Sequence, residues 1–188
     1  SGENYDFSGQ RGRSPYTDPE GLEWSTALVE ALAAVGAAAP AVAGWLLSNE
    51  MPFWGGPAAS ETIVAWAAQL RAALRRHDPH RPLGVGDGVM NLDGGQNGFD
   101  VPQLRAAVDF FGPHTYYADP DPLRQAYNAE YCLRSVSWTG HPVLLEEFGC
   151  SSCQVSEANQ ALYYRESLHS CLGVGAAGAL GWCASDFD

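Results

Sequence analysis

Short apolar segments recur along the 188 residues and are separated by segments with helical periodicity. They begin at intervals of about 25 to 40 residues, which is the length of a βα unit. Because strands that alternate with helices pair in parallel, this pattern predicts an α/β protein with a parallel sheet. The predicted strands comprise residues 41–49, 82–86, 108–115, 142–148 and 177–182.

Helix signals fill the intervals between these strands. Asp18 is followed by Pro19 and Glu20, a sequence typical of the first turn of a helix. Ser156 precedes another helical pattern and is a suitable N-cap residue. The predicted helices comprise residues 18–38, 60–76, 101–107, 123–138 and 156–172.

Two of the predicted strands end at a glutamate. One reads GWLLSNE up to Glu50, and the other reads PVLLEEFG around Glu147. Since side chains alternate across a strand, we expect Glu50 to share a face with Leu46, and Glu147 to share a face with Leu145. A sheet that curves around a common cleft would bring the two carboxylates together, and such a pair is typical of glycoside hydrolases.

Polar and aromatic side chains also lie at the carboxyl ends of the other predicted strands. Functional residues at the carboxyl ends of successive parallel strands are typical of a (β/α)8 barrel. The structural alternative is a doubly wound open sheet, which would need a glycine-rich phosphate turn between a strand and a helix. The glycine-rich segment GVGDG at residues 84–88 opens no predicted helix, so we interpret it as a turn.

The composition excludes several classes of partner. The formal net charge of -12 and the isoelectric point near 4.6 argue against binding to nucleic acid or to an anionic membrane surface. No apolar stretch reaches the roughly 18 to 20 residues that span a bilayer. The five cysteines are scattered through apolar segments, which favours small buried side chains over a disulfide framework.

Four motifs in sequence order resemble clan A glycoside hydrolases, and specifically family 5, which contains cellulases and mannanases. Each motif lies at the end of a predicted strand, and the set extends over nearly the whole chain. The matching residues are Asn49-Glu50 at the family's strand 4, His114-Thr-Tyr116 at strand 6, Glu147-Phe-Gly at strand 7 and Trp182 at strand 8.

The resemblance implies a partial (β/α)8 TIM barrel that contains strands 4 to 8. Residues 1–188 would then form a single catalytic barrel domain whose N-terminal units are missing, since a complete barrel usually needs roughly 250 residues. Such a piece would have unpaired edge strands, which the rest of the barrel would cover.

The resemblance also implies a retaining β-glycoside hydrolase that cleaves β-mannosides or β-glucosides in oligo- or polysaccharides. Glu50 would be the acid/base and Glu147 the nucleophile, while Glu146 is a competitor for the second role. No cofactor and no metal is expected. The predicted substrate contacts are Asn49, His114, Tyr116, Trp182 and Trp54.

Several other interpretations remain open at this point. Trp182 could belong to the core, and Trp54 could pack on the scaffold. The barrel could bind carbohydrate without cleaving it, although the intact glutamate pair argues against this, or the chain could be an inactive fragment. It could also be a metal-dependent hydrolase that uses His114 with carboxylates, in which case chelation would abolish its activity.

Overall fold

The computed structural model describes residues 14–51, 58–86, 98–116, 122–153 and 155–183. The chain divides into two compact units, residues 1–110 and residues 111–188. In the described part of the chain, no helix combines the length and the apolar character needed to cross a membrane.

The first unit contains helices and two short parallel strands. Asp18 caps its first helix by accepting a hydrogen bond from the backbone N–H of Gly21. The strands pair in parallel, with Trp45 opposite Leu83. In chain order the elements are α1 (Pro19–Gly36), β1 (Trp45–Leu46), α2 (Ser60–Arg75), β2 (Leu83–Gly84) and α3 (Val101–Leu104).

The indole ring of Trp45 is held against α1. It packs with a cluster that includes Ala33, Leu74 and Leu83, and its Nε1 donates a hydrogen bond of 2.9 Å to Asp78. The ring fits because α1 ends in glycine: a Cβ on Gly36 would lie 2.3 Å from the ring. Glycine at this position therefore lets β1 approach α1.

Asp109 ties α2 to β2. Its carboxylate accepts hydrogen bonds from Arg71 at 2.7 Å, from Arg75, and from the backbone N–H of Leu83 at 3.0 Å. Burial alone would raise the pKa of Asp109, but the two guanidinium groups and the backbone bond outweigh it and lower that pKa.

The second unit is a three-stranded parallel sheet with helices between its strands. Its strand order is the chain order, so the second of its three strands lies in the centre. Ser156 caps the second helix by accepting a hydrogen bond from Asn159, as predicted, and Gly175 ends it with a left-handed φ of 75°. The elements are β3 (His114–Tyr116), α4 (Pro122–Ser137), β4 (Leu144–Gly149), α5 (Glu157–Val174) and β5 (Gly178–Gly181).

The strands are shorter than predicted, and Pro113 explains one case. The sequence predicts a strand over 108–115, but only an isolated bridge from Phe111 to Val143 precedes the regular ladder, which begins at His114. Pro113 lies between them and has no backbone N–H to donate, so the ladder is interrupted there. Likewise, regular pairing within the predicted strand 41–49 is confined to β1.

Candidate active site

Parallel pairing of β3 with β4 brings three of the predicted site residues together. His114 lies opposite Glu147, and Tyr116 lies opposite Gly149. The hydroxyl group of Tyr116 donates a hydrogen bond to Oε2 of Glu147, and Nδ1 of His114 lies 3.5 Å from the same oxygen. The predicted nucleophile is therefore held by a phenol and faces an imidazole.

These side chains lie at different depths. The side chain of Glu147 is 15% exposed and that of Tyr116 is partly exposed, whereas His114 is completely buried. His114 thus lies behind Glu147 and contacts the carboxylate rather than solvent. Its role as a substrate contact remains a prediction.

Glu146 points away from solvent and in this respect differs from Glu147. Its side chain is 4% exposed, and its Oε1 lies 3.7 Å from Nε2 of His114. A nucleophile must reach the anomeric carbon of a bound sugar, which the more exposed Glu147 can do and Glu146 cannot. The geometry of this unit therefore favours Glu147, the residue chosen from the sequence.

Trp182 follows β5 at the same end of the sheet. Its backbone N–H donates to the carbonyl oxygen of Phe148 at 2.9 Å, and its own carbonyl oxygen would lie 2.2 Å from a Cβ on Gly149. Glycine after Phe148 thus allows the chain at Trp182 to approach β4 closely. The tryptophan side chain is 50% exposed, so it is not a core residue. The peptide bond from Trp182 to Cys183 is cis.

Glu50, the predicted acid/base, lies in the first unit, beyond the end of β1. Its φ of 51° is in the left-handed region, which costs a non-glycine residue about 1–3 kcal/mol. The strand alternation predicted from Leu46 to Glu50 is therefore wrong, because the backbone has left the extended conformation. Strained residues of this kind cluster at functional sites, which supports a functional role for Glu50.

Contacts before and after Glu50 fix this turn. The hydroxyl group of Ser48 donates to the carbonyl oxygen of Val85, and that of Tyr16 donates to the carbonyl oxygen of Met51 at 3.1 Å. Gly86, with a φ of 72°, lies so close to Ser48 that a Cβ there would be 1.9 Å from its carbonyl oxygen. The exposed Asn49 and the half-buried Glu50 are thus presented at the end of β1.

The predicted substrate contact Trp54 lies outside the described residues.

Burial suppresses a competing nucleophile beside β4. Cys150 directly follows the strand, and burial raises the pKa of its thiol, which disfavours the reactive thiolate. Cys132 is similar, since burial raises its pKa to about 12. None of the five cysteines, which all lie in the described ranges, forms a disulfide, and the expectation of buried side chains holds for three of them but not for the exposed Cys153 or the half-buried Cys183.

Tyr163 supports β3 from the helix behind it. Its hydroxyl group donates a hydrogen bond of 2.8 Å to the carbonyl oxygen of Thr115, the residue between His114 and Tyr116. Burial raises the pKa of Tyr163 to about 12, so the phenol remains a donor at neutral pH. Sequence reasoning missed this residue, because a tyrosine within a helix carries no signal for its partner.

Comparison with known proteins identifies the fold. No protein-family model matches the sequence, and no curated protein matches it either. Solved structures do match. A GH5_18 enzyme (glycoside hydrolase family 5) from Streptomyces cattleya, in complex with Manβ1-4GlcNAc, is 20% identical with a TM-score of 0.81, and the match covers 94% of this chain and 47% of that one.

Two further solved structures are similar. The exo-β-1,4-mannosidase from Opitutaceae bacterium strain TAV5 is 21% identical, with a TM-score of 0.77, over 91% of this chain and 34% of that one. The endo-β-1,4-mannanase from Thermotoga petrophila is 21% identical, with a TM-score of 0.68, over 89% of this chain and 42% of that one. The chain thus spans between a third and a half of the length of these proteins.

The similarity shows the fold of the chain. It is a partial (β/α)8 barrel, as predicted, and not a doubly wound open sheet. The resemblance to family 5 drawn from the four motifs is confirmed at the level of the fold.

Proposed function

We propose that the chain is part of a retaining β-glycoside hydrolase that acts on β-mannosides. The observation that carries the proposal is the contact between Glu147 and Tyr116 near the carboxyl end of β4. A carboxylate that is partly exposed and held by a phenol is suited to attack an anomeric carbon. Barrel enzymes place such groups at the carboxyl ends of their strands.

The first chemical step would form a glycosyl-enzyme. A carboxylate oxygen of Glu147 attacks C1 of the sugar, the bond from C1 to the leaving oxygen breaks, and Glu50 gives its proton to that oxygen. In the second step Glu50 takes a proton from water, whose oxygen attacks C1 and releases Glu147. Both steps invert C1, so the configuration is retained overall, and this requires carboxyl groups about 5–5.5 Å apart.

The other predicted residues would bind and orient the sugar. We assign Asn49 to the 2-hydroxyl group, a contact that strengthens in the transition state. The half-exposed ring of Trp182 offers a flat apolar face to the pyranose ring. Trp54 would contribute to the leaving-group subsite, and His114 would line the site behind Glu147.

The solved structures support mannose rather than glucose as the sugar. The three proteins named above are a mannosidase, a mannanase and an enzyme with bound Manβ1-4GlcNAc. The sequence alone left β-mannosides and β-glucosides open. Hydrolysis of paired aryl β-mannosides and β-glucosides by the full-length protein would decide between them, and the β-mannoside should be cleaved faster.

Leaving-group ability separates the two glutamates. For a poor leaving group, Glu50→Gln should lower kcat/KM by about 10²–10⁴-fold, because the acid is lost. The leaving group of 2,4-dinitrophenyl β-mannoside needs no acid, so Glu50→Gln should still form the glycosyl-enzyme rapidly with this substrate. Added azide should attack that intermediate and restore turnover, with mannosyl azide as the product. Glu147→Gln should be inactive on both substrates, while the exposed Glu130→Gln should match the wild type.

Three outcomes would contradict the assignment. Equal activity of wild type, Glu50→Gln and Glu147→Gln would exclude both glutamates from the chemistry. Binding of mannosides without hydrolysis by the full-length wild type would support a silent barrel. Loss of activity after exhaustive chelation, restored by a divalent metal, would support the metal-dependent alternative instead.

The domain assignment also remains a proposal: the chain would be the C-terminal part of a barrel. In α1, the side chains of Trp24, Leu28, Leu32 and Val35 form one apolar face that is exposed in the described structure. We infer that preceding βα units cover this face. A longer protein should then bind less of a hydrophobic dye per molecule than the 188-residue chain, and cooperative melting of the short chain alone would contradict the proposal.

A further inference from the structure

The imidazole ring of His114 lies between two carboxyl groups of β4. Its Nδ1 is 3.5 Å from Oε2 of Glu147, and its Nε2 is 3.7 Å from Oε1 of Glu146. The two glutamates are neighbours in sequence, and the ring that contacts both belongs to His114 on β3, the residue paired with Glu147. Glu146, His114 and Glu147 thus form a continuous row.

The buried end of this row is built into the fold. Glu146 is 4% exposed and His114 is 0% exposed, and a carboxyl group at such a depth is costly unless charge or hydrogen bonds compensate for it. The chain also makes room for it at Gly112, where a Cβ would lie 1.8 Å from Oε2 of Glu146. An apolar side chain would fill this space at lower cost, so the position of a carboxyl group here calls for a role beyond packing.

We propose that Glu146 is a positioning residue for the nucleophile and acts through His114, an inference that rests on the proposed function of Glu147. The partner of one imidazole nitrogen sets the orientation of the ring and determines which nitrogen carries the proton. Glu146 thereby directs Nδ1 of His114 at Glu147. Oε2 of the nucleophile then faces both this nitrogen and the hydroxyl group of Tyr116.

The first test measures the protonation of the His114 ring directly and does not depend on enzymatic activity. Side-chain ¹⁵N NMR of His114 in the full-length protein should show a changed balance between Nδ1 and Nε2 protonation in Glu146→Gln. The matched change Glu130→Gln, at an exposed position of α4, should leave the signals as they are in the wild type. Identical His114 signals in Glu146→Gln and wild type would overturn the proposal.

The second test separates the attack from binding. With 2-deoxy-2-fluoro-β-mannosyl fluoride, which traps the glycosyl-enzyme, Glu146→Gln should lower the rate constant for labelling by about 10–100-fold, by analogy with groups that orient metal-binding imidazoles. The dissociation constant for the reagent should stay within about twofold. A change in binding alone would show a structural role and would overturn the proposal.

A double-mutant cycle tests whether Glu146 acts through His114. In a His114→Gln background, Glu146→Gln should cause little further loss of labelling rate, because the connecting ring is already gone. Additive losses would overturn the proposal. If Glu146→Gln does not fold, Glu146→Asp keeps the charge with a shorter reach and should show a smaller loss of rate in the same cycle.

The outcomes distinguish this inference from the function on which it rests. If the wild type is not labelled at Glu147, the proposed function fails and the positioning role fails with it. If the wild type is labelled but Glu146→Gln reacts at the same rate, only the positioning role fails.

Discussion

The hydroxyl group of Tyr116 on β3 donates a hydrogen bond to the carboxylate of Glu147 on β4. The two residues are 31 positions apart in sequence, and parallel pairing of their strands brings them together. A phenol that donates to a carboxylate fixes one of its oxygens and leaves the other to react. This bond is therefore the most direct target for mutation.

Tyr116→Phe should lower kcat/KM for an aryl β-mannoside by about 10–100-fold. A hydrogen bond to a charged group is worth about 1.5–3 kcal/mol, and its loss leaves the nucleophile less well oriented. The matched control is Tyr127→Phe at an exposed position of α4, which should behave as wild type. Equal kinetics for the two variants would mean that the bond has no part in catalysis.

Gly112→Ala should disturb the nucleophile from the opposite side. The added methyl group would overlap Oε2 of Glu146, so this carboxyl group or β3 must move. A displacement of about 1 Å near reacting groups can cost on the order of 10²-fold in rate. We expect a lower kcat for the folded fraction, measured with active-site titration, and the prediction is wrong if the rate per folded molecule is unchanged.

The sequence predicts the order of elements because their signals are local. Asp18 and Ser156 cap helices where expected, and the strand pattern at Leu144–Gly149 is confirmed. Strand length depends instead on pairing partners, so the break at Pro113 shortens a ladder whose apolar pattern continues through it. The left-handed conformation of Glu50 is set by tertiary contacts, and no residue type near it predicts that conformation.

In the candidate site, too, some features follow from local sequence and others depend on tertiary contacts. The roles of Tyr116 and Glu147 could be inferred from motifs at strand ends, and their contact fits that inference. The position of Glu146 could not, because alternation places it on the other face of the strand without saying what lies there. Only the structure shows His114 between the two glutamates.

Acid should weaken the protein through Asp109. Its pKa is lower in the folded chain than in the unfolded chain, where it is about 3.9. The stabilisation is therefore fully present above the unfolded value and is lost as the pH falls through the folded value. The difference in unfolding free energy between wild type and Asp109→Asn should be largest near neutral pH and should shrink below about pH 3.9.

The exposed pair of Glu130 and Arg134 provides the control for this measurement. An exposed pair four residues apart on a helix is worth about 0.3–0.5 kcal/mol, so Glu130→Gln should have a small effect. Urea unfolding at several pH values measures both variants. If Asp109→Asn lowers the free energy of unfolding no more than Glu130→Gln does, the contacts of Asp109 with Arg71 and Arg75 contribute little to stability.

Two glycines in helices should respond in opposite directions to alanine. At Gly36, a Cβ would lie 2.3 Å from the ring of Trp45. Gly36→Ala must therefore push β1 away from α1 and should lower the free energy of unfolding by about 1–3 kcal/mol. At Gly173, within α5, a Cβ meets no atom within 4 Å. Gly173→Ala should therefore stabilise the protein by up to about 1 kcal/mol, because alanine loses less backbone entropy in a helix. An upward shift of the urea midpoint for both variants would show that helix propensity, and not the contact with Trp45, determines the response at Gly36.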